Sequence, residues 1–270
     1  MAKAFNNVKI NTTFTTATAR EQLTSGENLC TSLGKINKYL ADLDAGAFAS
    51  NDNILINSRF MINQRGAGKY TAPGYSLDGW KIGTLVGGSA PIEVTRMSAT
   101  TGTAHLKATA VSTLDGDITQ YVENAALYGN KPLTLSCWIG NTVNNEHAFL
   151  EICATRNNTA WQTYSTALKA GLNSITATVQ AGIKRLAVRI RFSCENTTNY
   201  LAVTWIKLEA GSIVTPYIPT PPAIDLAMCQ RYYQVRSAGN IAEVDLRPTM
   251  YKTPTVTQRT DGNYAYTAEL

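Results

Sequence analysis

The sequence predicts a mainly β protein: an antiparallel jelly-roll β-sandwich with a short N-terminal helical segment and a small C-terminal β extension. Three observations carry that prediction. Residues 53–209 alternate apolar and polar with period two, turn-forming residues interrupt them at short intervals, and the only leucine run with heptad spacing lies in the first 50 residues.

The helical segment comes first. Thr24 and Glu27 have capping-box spacing, and Leu29, Leu33, Ile36, Leu40 and Leu43 then recur every four or three residues, with Gly46 as a stop. Lys35, Asn37, Lys38 and Asp42 flank this narrow stripe. Two heptads are too short to hold a helix in water. The five apolar positions are therefore the expected oligomerisation seam, with packing against the chain's own body as the alternative. A leucine-rich seam does not fix the number of strands.

Residues 51–209 are the expected sandwich. Ile92–Arg96, Leu133–Cys137, Ile175–Val179, Leu186–Phe192 and Leu201–Trp205 alternate as half-buried strands do. Gly87-Gly88, Asp115-Gly116-Asp117, Tyr128-Gly129-Asn130 and Asn196–Asn199 are the expected turns. Residues 210–229 begin with prolines at 216, 219, 221 and 222, which predict an extended strap, and end in a short helix turn over Ile224–Met228. Residues 230–270 hold candidate strands at Arg231–Val235, Ile241–Leu246, Thr255–Gln258 and Tyr264–Thr267. So short a piece is marginal as an independent core and should pack on the sandwich or on neighbouring copies.

Composition narrows the function. The chain has 270 residues, 44% of them hydrophobic and only 16% charged, with a net charge of +5 and no basic run longer than two. That is a poor footprint for nucleic acid. No apolar stretch is long enough for membrane insertion, and Met1–Asn7 lacks the apolar core of a secretion signal, so the Sec route is not expected. Cys30, Cys137, Cys153, Cys194 and Cys229 include no CxxC pair, which predicts reduced, structural thiols and no metal site.

Motifs for catalysis are missing. His105 and His147 both fall inside strand-like runs, and there is no nucleophile elbow, HExxH or phosphate-binding loop. Glycoside cleavage needs only two carboxylates, for which Asp78, Asp115, Asp117, Glu123 and Glu151 are the candidates. Asp115 and Asp117 supply too few oxygens for calcium. The expectation is a protein that is not an enzyme and needs no cofactor.

Sugar binding on a β-sandwich combines aromatic faces with planar polar groups. The segment 156–164 offers Arg156 and Asn158 as hydrogen-bond donors and Trp161 and Tyr164 as stacking rings, with Trp161 folded onto the sandwich edge as the alternative. Trp80, Trp138 and Trp205 are expected in the core. Arg185, Arg189 and Arg191 share one strand face, which is a solvated face or an attraction for an anionic surface polymer.

Several stretches, in order, carry a resemblance. They are Asn53–Phe60 with Asn63–Gly66, Gly74–Trp80, Leu133–Trp138, Leu208–Gly211, Val214–Tyr217 and Cys229–Tyr233. As a set over residues 53–235 this resembles bacteriophage tail-fibre and receptor-binding proteins with a jelly-roll domain like a carbohydrate-binding module. Asn53–Phe60 would be the opening strand, and Cys229–Tyr233 a joint between the sandwich and the C-terminal extension.

The resemblance implies a virion structural protein on the tail, collar or capsid surface, made in the host cytoplasm. It would be a homo-oligomer, by family habit a trimer, attached to other virion proteins through its N-terminal segment and contacting a host surface glycan. The alternatives are a capsid or collar fibre or decoration protein, and a polysaccharide depolymerase.

Overall fold

The computed structural model describes residues 15–17, 25–44, 53–83, 92–98, 104–110, 116–140, 148–192, 200–240 and 244–270. Side chains of 39–44, 92, 96–98 and 104–110 are outside that description. The chain forms two compact units, Met1–Phe48 and Ala49–Leu270.

In the first unit α1 spans Leu29–Asp44. Its start departs from the expected capping box. The Cys30 amide donates to Asn28 Oδ1 at 2.8 Å, which makes Asn28 the cap. Glu27 instead accepts from Ser32 Oγ at 2.8 Å and pairs with Lys35 Nζ at 2.7 Å. Thr24 and Gly46 lie outside the described residues.

A short stretch of chain lies against this helix, with the Ala17 amide donating to Gly34 O at 3.1 Å. Only glycine admits that approach, because a Cβ at Gly34 would stand 2.2 Å from Thr15 O. Leu29 and Ile36 remain 55% and 40% exposed and Leu33 is half-buried, while the side chains of Leu40 and Leu43 lie outside the described residues.

The second unit is built on β1 (Lys69–Tyr70), β2 (Gly74–Tyr75), β3 (Lys81–Ile82), β4 (Ile92–Ser98), β5 (Ala104–Ala110) and β6 (Gly116–Val122). Then come β7 (Pro132–Ile139), β8 (Ala148–Thr155), β9 (Trp161–Ala167), β10 (Gly171–Thr178), β11 (Arg185–Phe192) and β12 (Tyr200–Ala210). The last elements are α2 (Pro222–Gln230), β13 (Tyr233–Arg236), β14 (Thr255–Gln258) and β15 (Tyr264–Thr267).

These strands make an antiparallel jelly-roll sandwich. The first sheet has the order β1-β4-β5-β12-β7-β10 and the second β2-β3-β6-β11-β8-β9. Alternation places Leu133, Leu135, Cys137 and Ile139 of the first sheet against Leu150, Ile152, Leu186, Val188 and Ile190 of the second in one buried core. Trp80 fills that core beside Phe60, with ring centroids 5.1 Å apart.

Several expectations are corrected. Asn53–Phe60 forms bends, not an opening strand. Side chains take over the backbone bonding there. Asn53 Oδ1 accepts from the Leu55 and Leu208 amides, and Asn57 Nδ2 donates to Ile62 O and Asp78 O. Asp117 belongs to β6 rather than to a turn. Trp138 is 44% exposed, because it faces outward from β7, and Trp205 is half-buried and stacked on Tyr217 at 4.6 Å. Gly87-Gly88, Asp115, Asn196–Asn199, His147 and Cys194 lie outside the described residues.

The strap of 211–221 has no regular structure and crosses the outside of the first sheet. There Thr215 accepts from Lys207 Nζ and donates to Glu209. The helix after it is longer than expected, and its Asp225 Oδ1 accepts from the Asn57 amide at 2.7 Å.

β13, β14 and β15 form a third, three-stranded sheet, while Val244–Leu246 is not strand and residues 241–243 lie outside the description. This extension is tied to the sandwich by Arg65, which pairs with Asp78 at 3.1 Å and Glu269 at 2.5 Å. Cys229 sits buried at the end of α2. Burial, with the Asp78 and Asp225 charges, pushes its thiol far up, as suits a joint and not a nucleophile.

Candidate functional site

The outward face of the second sheet is set by register. The pairs Thr155↔Trp161, Arg185↔Thr155, Ala187↔Tyr121, Arg189↔Glu151 and Arg191↔Phe149 put all of these side chains on the face away from the core. At its middle Arg189 Nε meets Glu151 Oε2 at 2.5 Å, Arg189 Nη1 lies 3.6 Å from Asp117, and Arg191 Nε reaches Glu151 Oε1 at 3.2 Å. Glu151 and Asp117 are buried beneath these guanidinium groups.

Burial pulls the Arg189 guanidinium down. Cys153, Glu151 and Asp117 outweigh that and leave it above its ordinary value. Burial also lifts the Cys153 thiol to about 11, against the pull of Arg189.

Aromatic rings flank this ionic row. The Arg191 guanidinium lies 4.5 Å from the Phe149 ring centre. At the other end Arg185 lies 4.3 Å from the Tyr121 ring and 5.7 Å from Trp161, whose rings stand 6.3 Å apart. The result is an open face with flat rings and planar guanidinium groups over a floor of satisfied charge. Such a surface suits a flat polar ligand with one apolar side.

The four predicted sugar-binding residues are not brought together. Trp161 reaches this face, but Tyr164, three residues along β9, points inward, packs on the core and donates through Oη to Thr178 O at 2.9 Å. Arg156 Nε donates to Ala181 O at 2.7 Å and so braces two loops. Asn158 occupies the exposed β8–β9 turn with φ of 66°. Tyr121 was missed, although the odd positions Asp117, Thr119 and Tyr121 of β6 alternate outward as plainly as the arginines of β11. Of the other carboxylate candidates, Asp78 is enclosed by Gln64 and Arg65, and Glu123 is engaged by Arg231 at 2.9 Å and by Tyr232 at 2.5 Å.

No protein-family profile and no curated protein matches the chain. Solved structures do. The chain is similar to the enzymatically active domain of bacteriophage CBA120 tailspike protein 4, at 12% identity and a TM-score of 0.42 over 58% of this chain and 21% of that one. It is similar to the xylan-binding domain CBM22-1 of Paenibacillus barcinonensis Xyn10C, at 13% and 0.37 over 62% of this chain and 100% of that one. A Stig cyclase from Fischerella is matched at 14% and 0.40, over 62% of this chain and 100% of that one. The chain thus spans about a fifth of the tailspike domain's length. These are likenesses of sandwich architecture.

Proposed function

We propose that this chain is a non-enzymatic virion fibre protein that binds host surface glycan with the open face of its second sheet. It would work as a homo-oligomer, a trimer on the family resemblance, held to other virion proteins by its N-terminal segment. The observation that carries the binding reading is the pair Tyr121 and Trp161, whose rings flank Arg185 at the edge of a sheet face otherwise floored by paired charges. A pyranose offers an apolar face to such rings and hydroxyl edges to the guanidinium groups.

The non-enzymatic part rests on Asp117 and Glu151, which lie under Arg189 and face no open space. The oligomer is supported by Leu29 and Ile36, which leave an apolar stripe of α1 exposed. Weak single contacts would be multiplied by the linked copies.

The test is an array of wall and capsular polysaccharides probed with the purified chain, its Trp161→Ala and Tyr121→Ala variants, and a reducing-end assay on every bound polymer. Expected is binding that each variant lowers by about five- to tenfold, the value of one stacked ring, with no release of ends. Absence of any binding, together with stoichiometric addition to fibreless particles, would replace this reading with that of a decoration protein. Sustained release of oligosaccharides would make the protein a depolymerase.

A further inference from the structure

The three arginines of β11 are alike in sequence and differ in what they touch. Arg189 and Arg191 are committed to Glu151, and Arg189 also to Asp117. Arg185 has no carboxylate partner among the described residues, and its planar group rests on Tyr121 with Trp161 beyond. Its neighbour Lys184 is exposed, its backbone amide held by Thr155 O at 2.8 Å.

Both cations line a recess of about 320 Å³ whose other walls include Tyr121, Asn124 and Tyr251. Among the described residues no Asp or Glu side chain lines it; Leu270 does, and its main-chain oxygen accepts from Tyr75 Oη at 2.6 Å. The nearest carboxylate along the chain from Tyr121 is that of Glu123, and it is occupied by Arg231 and Tyr232.

A guanidinium stacked on a ring keeps its N–H edge available, and that fork matches a carboxylate or a phosphate in a way a lone ammonium does not. The ring below also holds Arg185 in place, so little side-chain freedom is lost on contact. Lys184 adds a second positive charge without a fixed direction.

We infer that this recess is an oxyanion subsite, and that the glycan bound by the open face is an acidic one bearing carboxylate or phosphodiester groups. The inference rests on the glycan-binding reading above. It assigns Arg185 to the anion and leaves Tyr121 and Trp161 to the sugar ring.

The experiment uses the full chain and three polymers measured by calorimetry: polygalacturonate, a glycerol-phosphate teichoic acid and a neutral mixed-linkage β-glucan. At about 0.02 M salt at least one acidic polymer should bind about tenfold more tightly than the neutral one, and most of that preference should vanish at about 0.3 M, where the screening length is a few ångströms. Whichever acidic polymer binds identifies the oxyanion.

Arg185→Gln should erase the preference for the acidic polymer, while neutral binding falls by no more than the few-fold expected for one lost hydroxyl contact. Arg185→Lys should recover only part, because the fork is lost. Unchanged thermal unfolding of both variants shows that they are folded. Equal binding of neutral and acidic polymers, or an Arg185→Gln variant that keeps the preference, overturns the subsite and leaves the glycan reading standing. Binding of none of the three overturns the subsite, and the glycan reading then stands or falls on the polysaccharide array above.

Discussion

The two sheets place charge on their outer faces in the same way and then treat it differently. On the first, Lys207 and Glu209 stand two residues apart on β12, 3.0 Å from one another and 1% and 0% exposed, because the strap lies over them and contributes Thr215. On the second, Glu151 and Asp117 lie under Arg189 and Arg191, with Ser165 Oγ donating to Glu151 at 3.3 Å, and the Arg191 side chain stays 29% exposed. A sealed pair holds the molecule together. An open row leaves groups with which something else can bind. What separates the two here is the covering segment, together with the cation, lysine under the strap and arginine on the open face.

The largest effect should come from breaking the sealed pair. Lys207→Met leaves Glu209 buried without its cation and should cost about 3–5 kcal/mol in chemical denaturation, while adding Glu209→Leu should recover most of it. A double variant no more stable than the single one would mean that the strap, and not the pair, is what matters.

A third buried cluster sharpens the contrast through pH. Burial raises Glu269 from its ordinary value near 4.5 to about 7 against the pull of Arg65, and burial raises Asp78 as well. A carboxyl whose folded pKa is raised holds its proton longer in the folded chain. The contribution of Glu269 to stability is therefore fully present below about pH 4.5 and is lost as pH rises through about 7, by about 3 kcal/mol. Glu269→Gln should flatten that slope in denaturation curves measured across the window; an unchanged slope would assign the dependence to other groups.

The smallest of the three belongs to the open face. Glu151→Gln removes one charge, but Asp117 still faces Arg189, so the loss should be about 1–3 kcal/mol. A cost as large as that of Lys207→Met would show that the open row is as structural as the sealed pair.

Much of this was legible in the sequence because it is local. Period-two alternation located β7, β10, β11 and β12, and the proline run marked the strap. The arginine face of β11 was equally plain. Which arginine is neutralised was not, since Glu151 lies 38 residues from Arg189 and meets it only through the β8–β11 register. Trp161 and Tyr164 stand three apart, a spacing that puts strand residues on opposite faces, so their separation could have been read directly. Asn53–Phe60 misled because its apolar residues are buried as strand residues would be, while Asn53 and Asn57 supply the bonds that a ladder normally gives. The loss of Trp138 from the core reflects its even position beside Leu133, Leu135 and Cys137.

The strap and α2 also decide where this polypeptide can be cut. A gene fragment stopping at Ala210 would strip the roof from Lys207 and Glu209 and take away the Asp225 acceptor of the Asn57 amide. One stopping at Val235 would leave β13 without its hairpin partners and Arg65 without Glu269. Within the second unit, the shortest recombinant piece expected to behave as an intact domain therefore keeps its tail and runs from Asn53 through Leu270.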